Sequence, residues 1–337
     1  MINSERPRFA TTPTGLYLIG VCMLLLSLLL SVTIGDYQLT LKEVWSVLIN
    51  PSKSQASFVV WELRLPRLTL AIIAGTTLGI AGAIIQAVTQ NELASPSLVG
   101  VSSGAALAIV LVLTFTGLST YFQFIAGIFG GALAMSVTLW LSWKQKLEPV
   151  NLILSGLCVS LFCAAATTLL LISVSTDTRG LFYWLLGSVA NRTWQHVSLL
   201  APIALLGVIL CALLARPLTI LQLDSDVVKS IGGSVKRWRI QTLTVAVVLT
   251  SATVAVTGPI AFVGLVAPHL CRTLLPKHLA YEYRYVLFGS ALSGAVLVSL
   301  SDLLANYQEI PVGILCVLFG GPSLVWLIQS RYQQASI

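Results

Sequence analysis

Residues 75–105 read GTTLGIAGAIIQAVTQNELASPSLVGVSSGA, and this stretch contains the pattern that decides the fold. It continues an apolar run that begins near residue 67, is interrupted by the polar residues Gln90–Glu92, and then becomes apolar again. A bilayer core is about 30 Å thick and requires roughly 20 apolar residues for each helical span. The stretch therefore indicates one membrane-spanning helix, a short polar loop and the start of the next helix.

The composition of the whole chain gives the same indication. Of its 337 residues, 56% are hydrophobic and only 9% are charged, and the mean hydropathy is +0.91. An average soluble domain is about 25% charged. These values exclude a soluble enzyme with a single anchor, a disordered chain and a disulfide scaffold. We predict an all-α polytopic membrane protein of about ten transmembrane helices, in a single domain over residues 1–337.

Apolar runs and helix breakers place the ten spans. Arg6 and Arg8 precede the first run, which is too long for a signal-peptide core and lacks an A-x-A cleavage pattern, so we expect it to remain after a short tail of residues 1–15. Gly258–Pro259 is the only break between the seventh and eighth spans. The predicted spans are 16–34, 67–88, 95–116, 121–142, 150–172, 196–215, 240–259, 260–275, 284–304 and 312–329.

The distribution of Lys and Arg predicts the orientation. If the N terminus is cytoplasmic, 13 of the 19 cationic residues fall on the inner side and 6 on the outer side. Cytoplasmic loops carry an excess of Lys and Arg, so both termini are predicted to be cytoplasmic. The same excess explains the net charge of +7 without a nucleic-acid partner.

The predicted span interiors contain almost no ionisable residues. Asp302, His269 and Arg272 come closest, and we interpret all three as lying at span ends near the membrane surface. An ion-coupled carrier needs such groups inside the membrane. The sequence also lacks a Walker-type phosphate loop and a catalytic constellation. The chain is therefore predicted to be a non-catalytic transport component that a partner drives, with an ion-coupled secondary carrier or an intramembrane enzyme as the alternatives.

Cysteine and histidine usage predicts no cofactor and no metal site on the chain. None of the six cysteines forms a Cys-x-x-Cys pair, and all lie in or beside apolar stretches. They are interpreted as free, small hydrophobic side chains. Three scattered histidines do not suggest a metal centre.

Several segments together resemble the FecCD-type permeases, which are the membrane subunits of ABC importers for iron–siderophore complexes, haem and cobalamin. The resemblance runs from the second to the tenth predicted span. It rests on Arg64-Leu65-Pro66-Arg67 followed by residues 75–105, on LQLDSDVVKSIGG at 221–233, on VTGPIAFVGLVAPHLCR at 256–272 followed by SALSGAVLVSLSDLLAN, and on EIPVGILCVLFGGPSLVWL at 309–327.

The resemblance implies the type II permease fold of ABC importers and a set of partners. These are a second permease subunit, identical or paralogous, two ATP-binding subunits, and a periplasmic or lipid-anchored substrate-binding protein. The cargo would be a ferric chelate, most commonly an iron(III)–siderophore complex, with haem or cobalamin as the alternative. The location would be the cytoplasmic (inner) membrane.

The family motif also assigns a docking surface for the binding protein to Arg64 and Arg67. Both flank Pro66, a residue suited to a first helical turn. The alternative is that both side chains extend to lipid headgroups. Where the family has a further arginine this chain has Asn306, and Ser301 replaces an alanine, which favours an unequal pair of permease subunits.

The resemblance places an ATPase-coupling element in the loop 216–239. We expect a short amphipathic helix there that fills a groove on the ATPase, with Asp224 as its N-cap and glycines at its end. The alternative is an interfacial helix that contacts only lipid. The predicted apolar side consists of Leu221, Val227, Val228 and Ile231, and the coupling residues are Leu221, Leu223, Asp226, Val228, Lys229, Ile231 and Gly232.

A cytoplasmic gate is expected in the loop between the second and third spans. Asn91 and Leu93 match the family motif Asn-Pro-Leu-Ala, although Glu92 replaces the proline. Pro149 and Val150 lie where the family has a second constriction.

Overall fold

The computed structural model describes residues 12–335, except 36, 52–53, 118, 144–148, 174–177, 224, 231 and 309. All regular secondary structure in this part of the chain is helical. A π-helical turn covers Val59–Arg64. The helices are α1 (Pro13–Thr33), α2 (Leu41–Ile49), α3 (Gln55–Phe58), α4 (Leu65–Val88), α5 (Val101–Phe115), α6 (Thr120–Ser142), α7 (Pro149–Ser173), α8 (Thr178–Leu185), α9 (Trp194–Ile220), α10 (Ser225–Ser230), α11 (Val235–Thr257), α12 (Val263–Leu274), α13 (Tyr283–Gln308) and α14 (Val312–Ala335).

Each of the ten predicted spans overlaps one of the ten longer helices of the described chain. Among the described residues, seven helices are long and apolar enough to cross a membrane, and the apolar parts of α5 and α14 are shorter. The first helix begins at Pro13, three residues before the prediction, because the Thr12 hydroxyl caps it and accepts the Gly15 N–H at 3.3 Å. The rest of the predicted tail, residues 1–11, lies outside the described residues.

The eighth predicted span, 260–275, is wrong as a full-length helix. Its helix, α12, has 12 residues, and at 1.5 Å per residue it extends about 18 Å, well short of a bilayer core. The preceding backbone is not helical: Gly258 has φ +71° and Phe262 has φ +66°. The Thr257 carbonyl accepts the Ser188 N–H at 2.8 Å, so this irregular backbone is covered by protein, as a membrane requires.

Helix α4 occupies the middle of the protein. About 78% of its span is buried, against 17% for α1 and 28% for α9. Glycines allow α4 to approach its neighbours closely: a methyl group on Gly75 would overlap the Gly294 carbonyl of α13, and one on Gly82 would overlap the Gly264 carbonyl of α12. Small residues at such positions let helix backbones approach closely in membrane proteins.

The two ends of α4 define two regions of the molecule. Arg67 lies in its first turn, and we call that region the Arg67 end. Gln86 lies in its last turn beside Arg272, and we call that region the Arg272 end. Arg67 and Gln86 are 19 positions apart, which corresponds to about 29 Å of helix and is close to the thickness of a bilayer core.

Candidate functional sites at the two ends of α4

At the Arg67 end, the guanidinium of Arg67 binds the carboxylate of Asp302 on α13 in a bidentate manner. The Arg67 Nε lies 3.0 Å from each Asp302 carboxylate oxygen, and Nη2 lies 2.8 Å from Oδ1. The Asp302 side chain is only 2% exposed and that of Arg67 is 20% exposed. Asp302 lies towards the end of α13, which fits the predicted span-end position, but its side chain is buried against Arg67 of α4.

Asn306 completes this group. Its Oδ1 accepts a hydrogen bond from Arg67 Nη1 at 2.5 Å. A second arginine at this position would place a like charge against Arg67, so the amide suits an arginine that is already paired with Asp302. Arg67 therefore contacts its own chain, and its predicted docking role remains a prediction.

Arg64 is also bonded within the chain. Its guanidinium donates to the Val32 carbonyl from Nη1 and to the Tyr37 carbonyl from Nη2, the latter at 2.6 Å. These bonds tie the end of the π-helical turn to the connection between α1 and α2. The predicted docking role of Arg64 likewise remains a prediction.

At the Arg272 end, a neutral network surrounds a buried cation. Arg272 is 9% exposed and donates from Nη1 to Gln86 Oε1 at 2.5 Å and from Nη2 to the Tyr283 hydroxyl at 2.9 Å. Gln86 donates in turn to the Leu265 carbonyl at 3.2 Å, and the Tyr283 N–H donates to Thr219 Oγ1 at 3.0 Å. Arg272 lies in the last turn of α12, which fits the predicted span-end position, but these bonds bury its side chain among α4, α9, α12 and α13.

The predicted gate loop follows α4 directly. Gln90 has φ +47°, and Asn91 Oδ1 accepts the Leu93 N–H at 2.9 Å while the Asn91 carbonyl accepts the Ala94 N–H at 3.1 Å. Such an Asx turn fixes a short loop through a side-chain acceptor. The Leu93 side chain is 39% exposed, so it is accessible for the predicted constriction.

The other predicted gate residues lie at the start of α7. This helix begins at Pro149, and the Val150 side chain is 67% exposed. Helix α7 packs mainly against α5 and α6 rather than against α4. A constriction that joins Val150 to Leu93 stays a prediction.

The predicted coupling segment contains a six-residue helix, α10. Gly232, with φ +78°, donates its N–H to the Lys229 carbonyl, and Gly233 donates to the Val228 carbonyl, both at 2.9 Å. The predicted glycine end of the helix is confirmed. Asp224 and Ile231, the predicted N-cap and one coupling residue, lie outside the described residues.

The prediction that the apolar residues of this segment form one face available to the ATPase is wrong. Leu221 and Val228 are 2% and 1% exposed and pack into their own chain, whereas Leu223 and Val227 are each 47% exposed. Six residues are fewer than two helical turns, so the chain outside α10 decides which way each residue faces. Among the described residues of this segment, Leu223 and Val227 are the apolar side chains that remain available to a partner.

The exposed side of α10 carries an ion pair. Lys229 Nζ lies 2.8 Å from Asp226 Oδ1, and both side chains are exposed. The hydrogen bond and charge of Lys229 lower the pKa of the Asp226 carboxyl from its usual value.

A reciprocal pair of glutamines joins the gate loop to the coupling segment. Gln90 Nε2 donates to the Leu221 carbonyl at 2.9 Å, and Gln222 Nε2 donates to the Ala87 carbonyl at 3.0 Å. We call Gln90 and Gln222 the glutamine pair. Sequence reasoning missed it because more than 130 residues separate the two loops. The only available signal was a long polar side chain directly after each of two apolar helices.

These features fit a polytopic transport permease: a central buried helix, a short turn-stabilised loop at one of its ends, and a second segment, with the helix α10, bonded to that end. The FecCD transport family model matches residues 23–330. The chain belongs to the FecCD transport family, whose members are permease subunits of ABC importers. The resemblance drawn from the sequence motifs and the polytopic all-α permease fold are confirmed.

Three characterised relatives align with most of the chain. The Fe(3+)-citrate import system permease protein YfmD of Bacillus subtilis is 32% identical over 97% of this chain and 98% of its own. The Fe(3+) dicitrate permease FecC of Escherichia coli is 37% identical over 81% of this chain and 83% of its own. The hemin permease HmuU of Yersinia pestis is 34% identical over 95% of this chain and 97% of its own.

A solved structure has the same fold. A transporter assigned to the metal-chelate type of ABC transporters, in an inward-facing conformation, superimposes with a TM-score of 0.83 and 28% identity. The match covers 94% of this chain and 99% of that chain. The chain is therefore a multi-pass inner-membrane protein.

Proposed function

We propose that this chain moves an iron(III)–siderophore, or a related ferric chelate, through the cytoplasmic membrane as half of a two-permease pathway. ATP hydrolysed by two partner subunits drives the movement, and a periplasmic or lipid-anchored binding protein delivers the cargo. Both termini face the cytoplasm, so the Arg272 end is the cytoplasmic end. The family membership supports the class of transporter, and the Fe(3+)-citrate and dicitrate relatives support the class of cargo.

The glutamine pair is the observation that carries the mechanism. A partner ATPase can influence the pathway only through a segment that contacts both, and the pair bonds the coupling segment to the last turn of α4 and to Gln90 in the gate loop. A shift of the exposed side chains of Leu223 or Val227 would therefore pull on Ala87 and on the loop that holds Leu93. Two parallel side-chain bonds to backbone carbonyls make this connection stiff without adding charge.

The Arg67–Asp302 pair argues against the alternative of an ion-coupled carrier. A proton-coupled carrier needs a carboxylate that can gain and lose a proton, and Asp302 is the buried acidic residue of α13. The arginine opposite it stays charged at all working pH values and donates hydrogen bonds to both carboxylate oxygens. The pair therefore fastens α4 to α13 instead of carrying protons.

The contacts at the Arg67 end favour an unequal pair of permease subunits over an identical pair. Asn306 accepts a bond from Arg67 where the family resemblance leads us to expect another arginine. A paralogue that keeps this arginine would restore a docking charge on the opposite half of the outer surface. The binding protein would then meet one arginine-rich half and one half in which Arg67 is held by Asp302.

Transport measured in proteoliposomes tests the proposed function. The chain is reconstituted with its co-expressed ATP-binding and permease partners, and uptake of a radioactive ferric chelate is followed with the binding protein present. We expect uptake to require ATP on the side of the membrane that carries the ATP-binding subunits. It should stop when those subunits are omitted. Uptake by the chain alone under an ion gradient would refute the proposal.

Haem is the second candidate cargo, since HmuU is a hemin permease. The same vesicles offered a ferric siderophore, ferric citrate and haem separate the candidates. We expect a ferric chelate to be taken up at least tenfold faster than haem, and the reverse ratio would assign the chain to haem uptake.

A further inference from the structure

Helices α1, α9 and α13 leave a cleft of about 370 Å³ that the transport proposal does not use. Its volume falls within the roughly 300–1,000 Å³ of small-molecule sites. The rings of Tyr17 and Phe288 form one wall, in edge-to-face contact at 4.9 Å between centroids. The opposite wall consists of Val208 and the small side chains of Ala212 and Ala215 on α9.

The cleft is an elongated groove. On α13 its lining residues Arg284, Phe288 and Ala291 follow the spacing i, i+4, i+7, which places them along one face of the helix. Seven residues of helix extend about 10 Å. The Tyr283 N–H bonds Thr219 of α9 at 3.0 Å, so the groove begins at the Arg272 end and runs towards the middle of the bundle.

Arg284 is the one cationic residue among the groove's lining residues, and it lies at the end of the groove. Its side chain is exposed. Across the described part of the chain, the ion pairs within 4.0 Å are Arg67–Asp302 and Asp226–Lys229, so no described carboxylate pairs with Arg284. An arginine fork matches the geometry of a phosphate group and binds it with two parallel hydrogen bonds.

Two of the helices that form the groove, α1 and α9, lie largely exposed on the outside of the chain. Only 17% of the α1 span and 28% of the α9 span are buried in the protein, and Leu213 of α9, which is 70% exposed, lies beside the groove residues Ala212 and Ala215. A lipid acyl chain therefore reaches the groove from the side. Basic pockets between transmembrane helices are a recurrent binding mode for anionic lipid headgroups.

We propose that this groove is a binding site for one anionic phospholipid. Its phosphate group binds the guanidinium of Arg284, and the first part of an acyl chain lies between α9 and α13 against Phe288 and Ala212. The site is independent of the cargo. It gives the permease a preference for anionic over zwitterionic lipid at the end of the bundle that carries the gate loop.

Native mass spectrometry of the full-length chain with its partners tests this site. The detergent-purified complex is titrated with phosphatidylglycerol and, separately, with phosphatidylcholine of the same acyl chains. We expect phosphatidylglycerol to be retained preferentially, and Arg284→Gln to weaken its binding about tenfold, the effect of losing charge-assisted hydrogen bonds. Arg237→Gln, an exposed cation of α11 outside the groove, is the matched control and should bind as the parent does.

A second variant tests the groove itself. Ala212 is exposed and lines the cleft, so Ala212→Leu fills space without disturbing the core. Ala212→Leu should weaken the binding of both lipids by a similar factor, while the unfolding temperature stays unchanged. Equal retention of the two lipids by the parent, unchanged phosphatidylglycerol binding in Arg284→Gln, or unchanged binding in Ala212→Leu would overturn the proposal. Loss of a chain–chain dimer in Ala212→Leu would also overturn it, because a second copy would then occupy the groove.

Discussion

The Arg67 end and the Arg272 end fasten the same central helix to α13 by opposite means. At the Arg67 end, a carboxylate that is 2% exposed pairs with an arginine. At the Arg272 end, an arginine that is 9% exposed bonds a glutamine amide oxygen and a tyrosine hydroxyl. Removing one member of a buried charge pair is costly because it leaves the other charge buried without a counter-charge. Removing a cation that has neutral partners costs less, because only uncharged hydrogen-bonding groups lose a partner. The contact between α4 and α13 at the Arg67 end therefore resists separation. The contact at the Arg272 end, next to the gate loop, is easier to rearrange.

Removing one member of the charge pair should give the largest effect. Asp302→Ala leaves the Arg67 guanidinium without its counter-charge and should lower the free energy of unfolding by about 3–5 kcal/mol. The measurement is the unfolding midpoint of the detergent-solubilised complex.

A double variant sharpens this result. Arg67→Met with Asp302→Leu removes both charges and should recover most of the loss, since apolar residues of similar volume replace a buried pair at little cost. If the double variant is as unstable as Asp302→Ala, the loss comes from packing and the pair is not the cause.

Removing the cation at the opposite end should cost less. Arg272→Met deprives Gln86 and Tyr283 of a charged donor, and hydrogen bonds to charged groups contribute about 1.5–3 kcal/mol. Tyr283→Phe, which removes one hydroxyl, should cost about 1 kcal/mol. A larger loss for Arg272→Met than for Asp302→Ala would reverse the comparison between the two ends.

The glutamine pair should matter more for transport than for stability. Interhelical side-chain hydrogen bonds in membrane proteins average about 0.6 kcal/mol, so Gln90→Ala and Gln222→Ala should each shift the unfolding midpoint little. We expect the amount of chelate transported per ATP hydrolysed to fall several-fold in the double variant. Gln195→Ala is the control, because Gln195 is an exposed glutamine in the first turn of α9, at the opposite end of that helix from Gln222. A double variant with the parent ratio of transport to hydrolysis would show that the pair does not transmit the ATPase movement.

The exposed ion pair of α10 should have the smallest effect. Lys229 lowers the pKa of Asp226 in the folded protein, so the pair stabilises the fold at pH values above the unfolded pKa of about 3.8 and loses this contribution as the pH falls through the lower, folded value. Between pH 5 and 8 the Asp226→Asn variant should therefore unfold at a temperature that differs from the parent's by a constant, small amount. A difference that grows between pH 8 and pH 5 would show that another group titrates with Asp226.

Sequence patterns were sufficient for the helices and insufficient for the polar contacts. The apolar runs located the ten longer helices. The twelve-residue length of α12 was missed, because the helix breaks are spread over residues 258–262 and include a left-handed Phe262 that no residue pattern predicts. In the coupling segment the helix end at Gly232 was predictable from local backbone preferences, whereas the inward positions of Leu221 and Val228 depended on neighbouring helices.

The amino-acid sequence by itself determined that this protein is a helical membrane permease of the FecCD family, since hydropathy and local motifs act over a few turns of one chain segment. Only the tertiary structure decided what the few polar side chains do. It buried Asp302 against Arg67, bonded Arg272 to Gln86 and Tyr283, and joined Gln90 to Leu221 and Gln222 to the last turn of α4. These partners are separated by 11 to more than 230 residues along the chain, and in an apolar surrounding each polar group must find its partner through the packing of whole helices.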